Sequence, residues 1–167
     1  MEPIRCALVG VGNCASALVQ GVHFYRKQQG AAVSNSGISY PSIGGYEARD
    51  IVFAAAWDVD ARKVGTPLHA AIFAEPNCCY TIDASVAEVD SPLVRMGPVL
   101  DGVAPHMLTH EPAARSFRLA DATPDSAGDI VAALRAARVD VLINYLPVGS
   151  QAATEFWAEV CLEARVP

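Results

Sequence analysis

Residues 4–18 read I-R-C-A-L-V-G-V-G-N-C-A-S-A-L. The apolar run Ile4–Val9 predicts a buried strand. Gly10-Val11-Gly12-Asn13-Cys14-Ala15 then fits the G-x-G-x-x-G/A turn of dinucleotide-binding folds. Ala15, Leu18, Val19 and Val22 follow at i, i+3, i+4 and i+7, one face of a helix running to about residue 26 or 29. Each position has a physical reason. Gly10 permits the sharp turn, Gly12 lets a pyrophosphate approach the backbone, and Ala15 lets the helix pack against the strand. The free N–H groups and dipole of the helix start favour phosphate. The same turn also occurs in α/β sheets that hold no ligand.

The rest of the chain fits a doubly wound parallel sheet, expected to be one Rossmann-like domain over residues 1–167. Its length suits a single core. Hydrophobic residues make up 52% and charged residues 18%, which excludes a disordered chain. The net charge is −6 and the basic residues form no run, so nucleic acid is not an expected partner. No apolar run reaches membrane-spanning length, and no signal or transit peptide is expected. Five cysteines without a C-x-x-C pair suggest a reduced, cytoplasmic protein.

Residues 51–57 (I-V-F-A-A-A-W) predict a second buried strand, with Asp58 at its end. An acid there accepts hydrogen bonds from the adenosine ribose and disfavours a 2′-phosphate, which points to NAD. Arg62 and Lys63 stand nearby and pull the other way; Asp60 is the competing acid. The competing, lesser reading of Asp58 is a cap on a short helix over 61–64. The glycines and Asp58 are further apart than usual because a polar loop, 30–50, intervenes.

Prolines punctuate residues 66–124, where short strands are expected around 80–82 and 117–119. Residues 95–102, with a turn at each end, border the expected cleft. His106 and His110 stand four apart, a helix spacing for zinc, with Glu111 beside them; Pro105 and Pro112 bracket the pair and no matching third ligand is evident, so no metal is assigned. The adjacent Cys78 and Cys79 read as loop residues. Thr123-Pro124 is the expected start of a helix with Ala127, Ile130, Val131, Leu134 and Ala137 on its apolar face. Residues 139–146 predict a strand. Ser150 is the expected N-cap of a last helix, whose stripe includes Phe156, Trp157 and Val160 as core. Ligands in such folds sit at the carboxyl ends of strands, so the turn at 145–149 should lie across from the glycine turn.

Five blocks carry a family resemblance: V-G-V-G-N-C-A-S, L-V-Q-G-V, A-A-W-D-V-D-A-R-K-V-G, M-G-P-V-L-D-G and V-D-V-L-I-N-Y-L-P-V-G-S. In this order they resemble myo-inositol-1-phosphate synthase (inositol-3-phosphate synthase) of the actinobacterial and archaeal type. Residues 76–121 match poorly outside the M-G-P-V-L-D-G block, where the family usually has arginine in place of Met96. The resemblance implies NAD-dependent oxidation of D-glucose 6-phosphate, intramolecular aldol cyclisation and reduction to 1D-myo-inositol 3-phosphate. It implies that Gly10, Gly12, Asn13 and Cys14 line the pyrophosphate and nicotinamide turn, and that Asp58 takes the ribose. Tyr145, Leu146, Pro147 and Val148 would form the strand-end wall.

The family's catalytic lysines, substrate phosphate site and most of its tetramer-forming sheet lie in a second domain after the next strand. No catalytic residue is therefore assigned here. The expectation is the NAD-binding part of the enzyme: a parallel sheet incomplete at the C-terminus, with an open edge, inactive alone and impaired in tetramer assembly. The alternatives are a non-catalytic NAD-binding remnant or interaction module, and an unrelated NAD-dependent sugar dehydrogenase sharing only the fold.

Overall fold

The computed structural model describes residues 2–28, 37–88, 91–103, 105–111 and 115–167. Four strands, β1 (Ile4–Val9), β2 (Ile51–Asp58), β3 (Val94–Met96) and β4 (Val141–Asn144), form one sheet. All pairs are parallel and the order is β3-β2-β1-β4. Those are the first four places of the doubly wound order, and the chain reverses direction across the sheet between β1 and β4. The helices are α1 (Asn13–Lys27), α2 (Leu68–Ala71), α3 (Pro105–Leu108), α4 (Ala127–Ala136) and α5 (Gln151–Ala164).

Side-chain alternation along the strands builds two cores. Ala7, Val9, Ala55 and Trp57 face α4 and α5, where they meet Ile130, Leu134, Trp157 and Val160. Leu8, Ala56 and Val94 face α1 and α2, against Ala15, Val19, Leu68 and Ile72. Covered on both sides, the buried part of β1, Cys6–Val9, is an unbroken apolar run, with Arg5 before it where burial is partial. Each large side chain buried this way contributes roughly 1.5–3 kcal/mol.

The middle of the chain corrects several sequence expectations. Residues 80–82 are not a strand. Gln20, buried on α1, accepts from Ile82 N at 2.7 Å and donates to the Tyr80 carbonyl at 3.3 Å, so a side chain takes the place of a ladder. Residues 117–119 make one antiparallel bridge, Leu119 to Asp60, and no strand. The third strand is instead Val94–Met96, with Val94 and Met96 buried and Arg95 outward. Residues 61–64 turn without forming a helix, and the short helix falls at Leu68–Ala71. The 139–146 strand narrows to Val141–Asn144.

α4 starts at Ala127, not at Thr123-Pro124. Ser126 is its N-cap, and the Asp129 carboxylate bonds back to Ser126 N at 3.0 Å, a reciprocal box that outcompetes the proline signal. Residues 30–36 of the long loop lie outside the described residues; the rest holds an Ile43–Tyr46 bridge and a 3-10 turn, Ala48–Asp50.

Candidate functional site

A cleft of about 230 Å³ opens at the carboxyl ends of the strands. It sits at the β1/β4 reversal, where doubly wound sheets bind ligands. Two tight turns frame it. Gly10 has φ +83°, and a Cβ there would stand 2.8 Å from the Tyr145 carbonyl oxygen. Only glycine allows the β1 and β4 turns to come this close. Gly12 is different. A Cβ there would meet nothing within 4 Å, so its missing side chain leaves open space. Gly12 is the N-cap of α1, which has neither a capping side chain nor an acid in its first turn. The amides and positive dipole end of a 15-residue helix thus remain available.

The structure brings Gly10, Gly12, Asn13, Asp58, Tyr145, Leu146 and Pro147 into the cleft wall. Cys14 and Val148 are exposed and stand outside that lining. Asn13 is braced by a loop: its Oδ1 accepts from Cys78 N at 2.9 Å and its Nδ2 donates to Cys78 Sγ at 3.0 Å. Burial, with Cys14 nearby, pushes the Tyr145 phenol pKa up.

Asp58 does more than close β2. Its Oδ2 accepts from Val11 N at 2.6 Å, and its Oδ1 accepts from Val59 N at 2.7 Å and Asp60 N at 2.8 Å. The carboxylate therefore ties the end of β2 to the glycine turn. A carboxylate has about four lone-pair positions, so three amides leave room for a ribose hydroxyl.

Asp60, the competing acid, is a strut. It is 1% exposed, is bonded by Arg62 Nε at 2.9 Å and Arg62 Nη2 at 2.6 Å, and accepts from Arg118 N at 3.0 Å. Burial alone would raise its pKa; the Arg62 and Arg118 hydrogen bonds more than offset that and hold it below the ordinary carboxylate range.

Other lining residues carried weaker sequence signals. Gly97, Pro98, Leu100 and Gly102 cover one side of the cleft, as the turn-bounded 95–102 stretch implied. They are held there by Asp101, whose carboxylate accepts from Ala153 N at 2.9 Å and Ala152 N at 2.8 Å. These amides hold the Asp101 carboxyl below its ordinary pKa. Ser150 is the N-cap residue of α5, but its hydroxyl donates to the Pro147 carbonyl instead, and Asp101 satisfies the helix amides. Trp57 and Trp157, 5.3 Å apart between ring centroids, form an apolar floor. Trp157, on the apolar stripe of α5, serves both the core and the cleft. Among the described residues no cluster of three His, Cys, Asp or Glu could hold a metal ion. No described helix is long and apolar enough to cross a membrane.

Comparison with known proteins gives the same direction. No protein-family profile matches the chain. An inositol-3-phosphate synthase of Mycobacterium tuberculosis is 44% identical over 163 residues, which are 98% of this chain and 41% of that protein. One from Corynebacterium glutamicum is 40% identical over 162 residues, 96% of this chain and 41% of that protein. The crystal structure of Ari2 matches with a TM-score of 0.68 at 32% identity, covering 99% of this chain and 44% of that one. A myo-inositol-1-phosphate synthase-related protein from Thermotoga maritima matches at TM-score 0.51 and 18% identity, over 87% of this chain and 35% of that one, and shares the fold. Over nearly its whole length the chain is thus a sequence relative of inositol-3-phosphate synthase, spanning 41–42% of the curated synthases it matches.

Proposed function

We propose that the chain is the NAD-binding part of an inositol-3-phosphate synthase-type enzyme, a single domain that binds NAD and does not cyclise glucose 6-phosphate by itself. The observation that carries this is the turn at 10–13: a glycine turn at the sheet's reversal point, open at Gly12, leading into an uncapped helix. NAD, when bound, supplies the hydride acceptor for a sugar hydroxyl. Gly10, Gly12 and Asn13 would surround the pyrophosphate and nicotinamide side, with the α1 dipole favouring the phosphates. The free lone pair of Asp58 would take a ribose hydroxyl. Tyr145, Leu146 and Pro147 would form the opposite wall, without the exposed Val148, and the Trp57–Trp157 floor would exclude water from one side of the ligand.

Glucose 6-phosphate turnover and tetramer assembly belong, in this reading, to the whole enzyme. Five free cysteines support a reducing compartment, the cytoplasm. Calorimetric titration of NAD into residues 1–167 tests the proposal. One saturable site is expected, weakened about tenfold by Asp58→Ala. A folded protein that binds no NAD would overturn the binding claim. Inositol phosphate made from glucose 6-phosphate by the purified chain would overturn the claim that it does not cyclise alone.

A further inference from the structure

The inward face of α1 changes character after Val22. Val19, Val22, His23 and Arg26 stand at i, i+3, i+4 and i+7, so two valines are followed on one face by two polar side chains. All four line a second pocket, of about 90 Å³. Its opposite walls are Val52 and Phe53 of β2 and Leu68 and His69 of α2. Val52 precedes Asp58 by roughly 20 Å along β2, so this pocket is remote from the dinucleotide cleft.

The polar groups here are not all matched. Arg62 is paired with Asp60 at 2.6 Å, and Arg95 with Asp125. Arg26 differs: its Nε is buried and has no acceptor among the described residues. A buried N–H without an acceptor is costly. Burial pushes the Arg26 pKa down with no described carboxylate opposing it, whereas hydrogen bonds to Asp60 and Asp125 push those of Arg62 and Arg95 up. The acid beside His23, Asp83, is already taken. It accepts from Lys27 Nζ at 2.9 Å, Ser85 N at 3.0 Å and Ser85 Oγ at 2.6 Å. His69 brings a further donor. Ser91 Oγ accepts from His69 N at 3.0 Å and lies 2.9 Å from its Nδ1. With the hydroxyl proton given to Nδ1, the ring proton stays on Nε2.

We propose that this pocket binds a small monocarboxylate with a short hydrocarbon body, the carboxylate on Arg26 and the body against Val19, Val22 and Val52. The donors select the head group. A guanidinium fork matches a planar carboxylate, and one guanidinium balances one negative charge. A phosphate dianion would bring more charge and hydration than one arginine replaces. The apolar walls and the volume select the body. The pocket holds the equivalent of about three waters at ~30 Å³ each, room for an acid of about three or four carbons. This inference does not depend on the dinucleotide reading.

The test is titration of residues 1–167 with isobutyrate at fixed pH and ionic strength, followed by the imidazole NMR signals. His23 and His69 should shift together and saturate, with a Kd of about 1–10 mM for so small a ligand. His106 and His110, outside the pocket lining, should not move. Isobutyramide, the neutral isostere, and inorganic phosphate should each bind at least about tenfold more weakly. Arg26→Met keeps an apolar stem and removes the guanidinium. It should weaken isobutyrate at least about tenfold and leave the thermal melt unchanged or raised, since a buried donor without an acceptor is gone. Wild-type His23 and His69 signals that do not saturate would overturn the inference. So would isobutyramide or phosphate binding as tightly as isobutyrate, both read on the wild type alone. Folded Arg26→Met that binds isobutyrate as the wild type does would overturn it as well.

Discussion

Gly10 and Gly12 sit two residues apart in one motif and answer to different constraints. Gly10 is a folding requirement. Its φ of +83° and the 2.8 Å approach of the Tyr145 carbonyl exclude any side chain. Gly10→Ala should therefore cost about 2–3 kcal/mol, read as a drop in the urea midpoint. Gly12 has φ −100° and open space where its Cβ would be. Gly12→Val should leave the melt within about 1 kcal/mol and yet weaken NAD more than about tenfold, because the new side chain fills the ligand's space. Equal loss of stability in both variants would remove the argument that Gly12 is kept for a ligand. The sequence pattern found both glycines but could not separate the two roles, because the separation depends on what faces each Cα from β4 and from the cleft. The roles of Asp58 and Asp60 were hidden in the same way. Both are acids beside an apolar run, and only the position of Arg62, Arg118 and the Val11 amide shows which is locked to an arginine and which ties β2 to the glycine turn.

Elements with a long periodic signal were readable: β1, α1, β2, α4, β4 and α5 each carry an apolar run or stripe. β3 was not, because three residues between Pro92 and Pro98 cannot show a period. The Ser126–Asp129 box was present in the sequence and was overshadowed by Thr123-Pro124. Asp101 capping α5 from 50 or so residues away has no local signature at all.

The ends of α4 and α5 show a shared device. In each, a residue in left-handed conformation follows the helix, Arg138 at φ 48° and Arg165 at φ 61°. In each, the next residue donates back into the last turn: Val139 N to Leu134 O at 3.0 Å and Val166 N to Cys161 O at 2.9 Å. Both valines are buried in the same core. Glycine is the usual residue at such a position, and arginine there carries a steric penalty. Arg165→Gly should raise stability by about 0.5–1 kcal/mol, seen as a higher urea midpoint at unchanged slope. A lower midpoint would mean that the arginine side chain contributes more than its backbone strain costs.

At the scale of the molecule, the sheet is asymmetric in its protection. β1 and β2 are paired on both sides, and both faces are covered by helices. β4 is paired with β1 on one side only. Among the described residues its outer side meets the chain through one backbone bond, Leu142 N to Pro167 O at 2.9 Å. By strand alternation the Asn144 N–H points the same way, with no described backbone acceptor there. An edge rich in Val141, Leu142 and Ile143 that still has donors to offer is a template for pairing with another strand. For a chain of these 167 residues the expectation is reversible association through β4. Its mass by size-exclusion chromatography with light scattering should rise with concentration, and the Asn144 amide should become more protected from hydrogen exchange over the same range. Amides of β1 should not change, since their partners are already present in the monomer. A sharp monomer peak at every concentration, with a freely exchanging Asn144 amide, would show that the contact with Pro167 suffices to close the edge. Association that protects α1 or α2 instead would place the contact on the other side of the sheet.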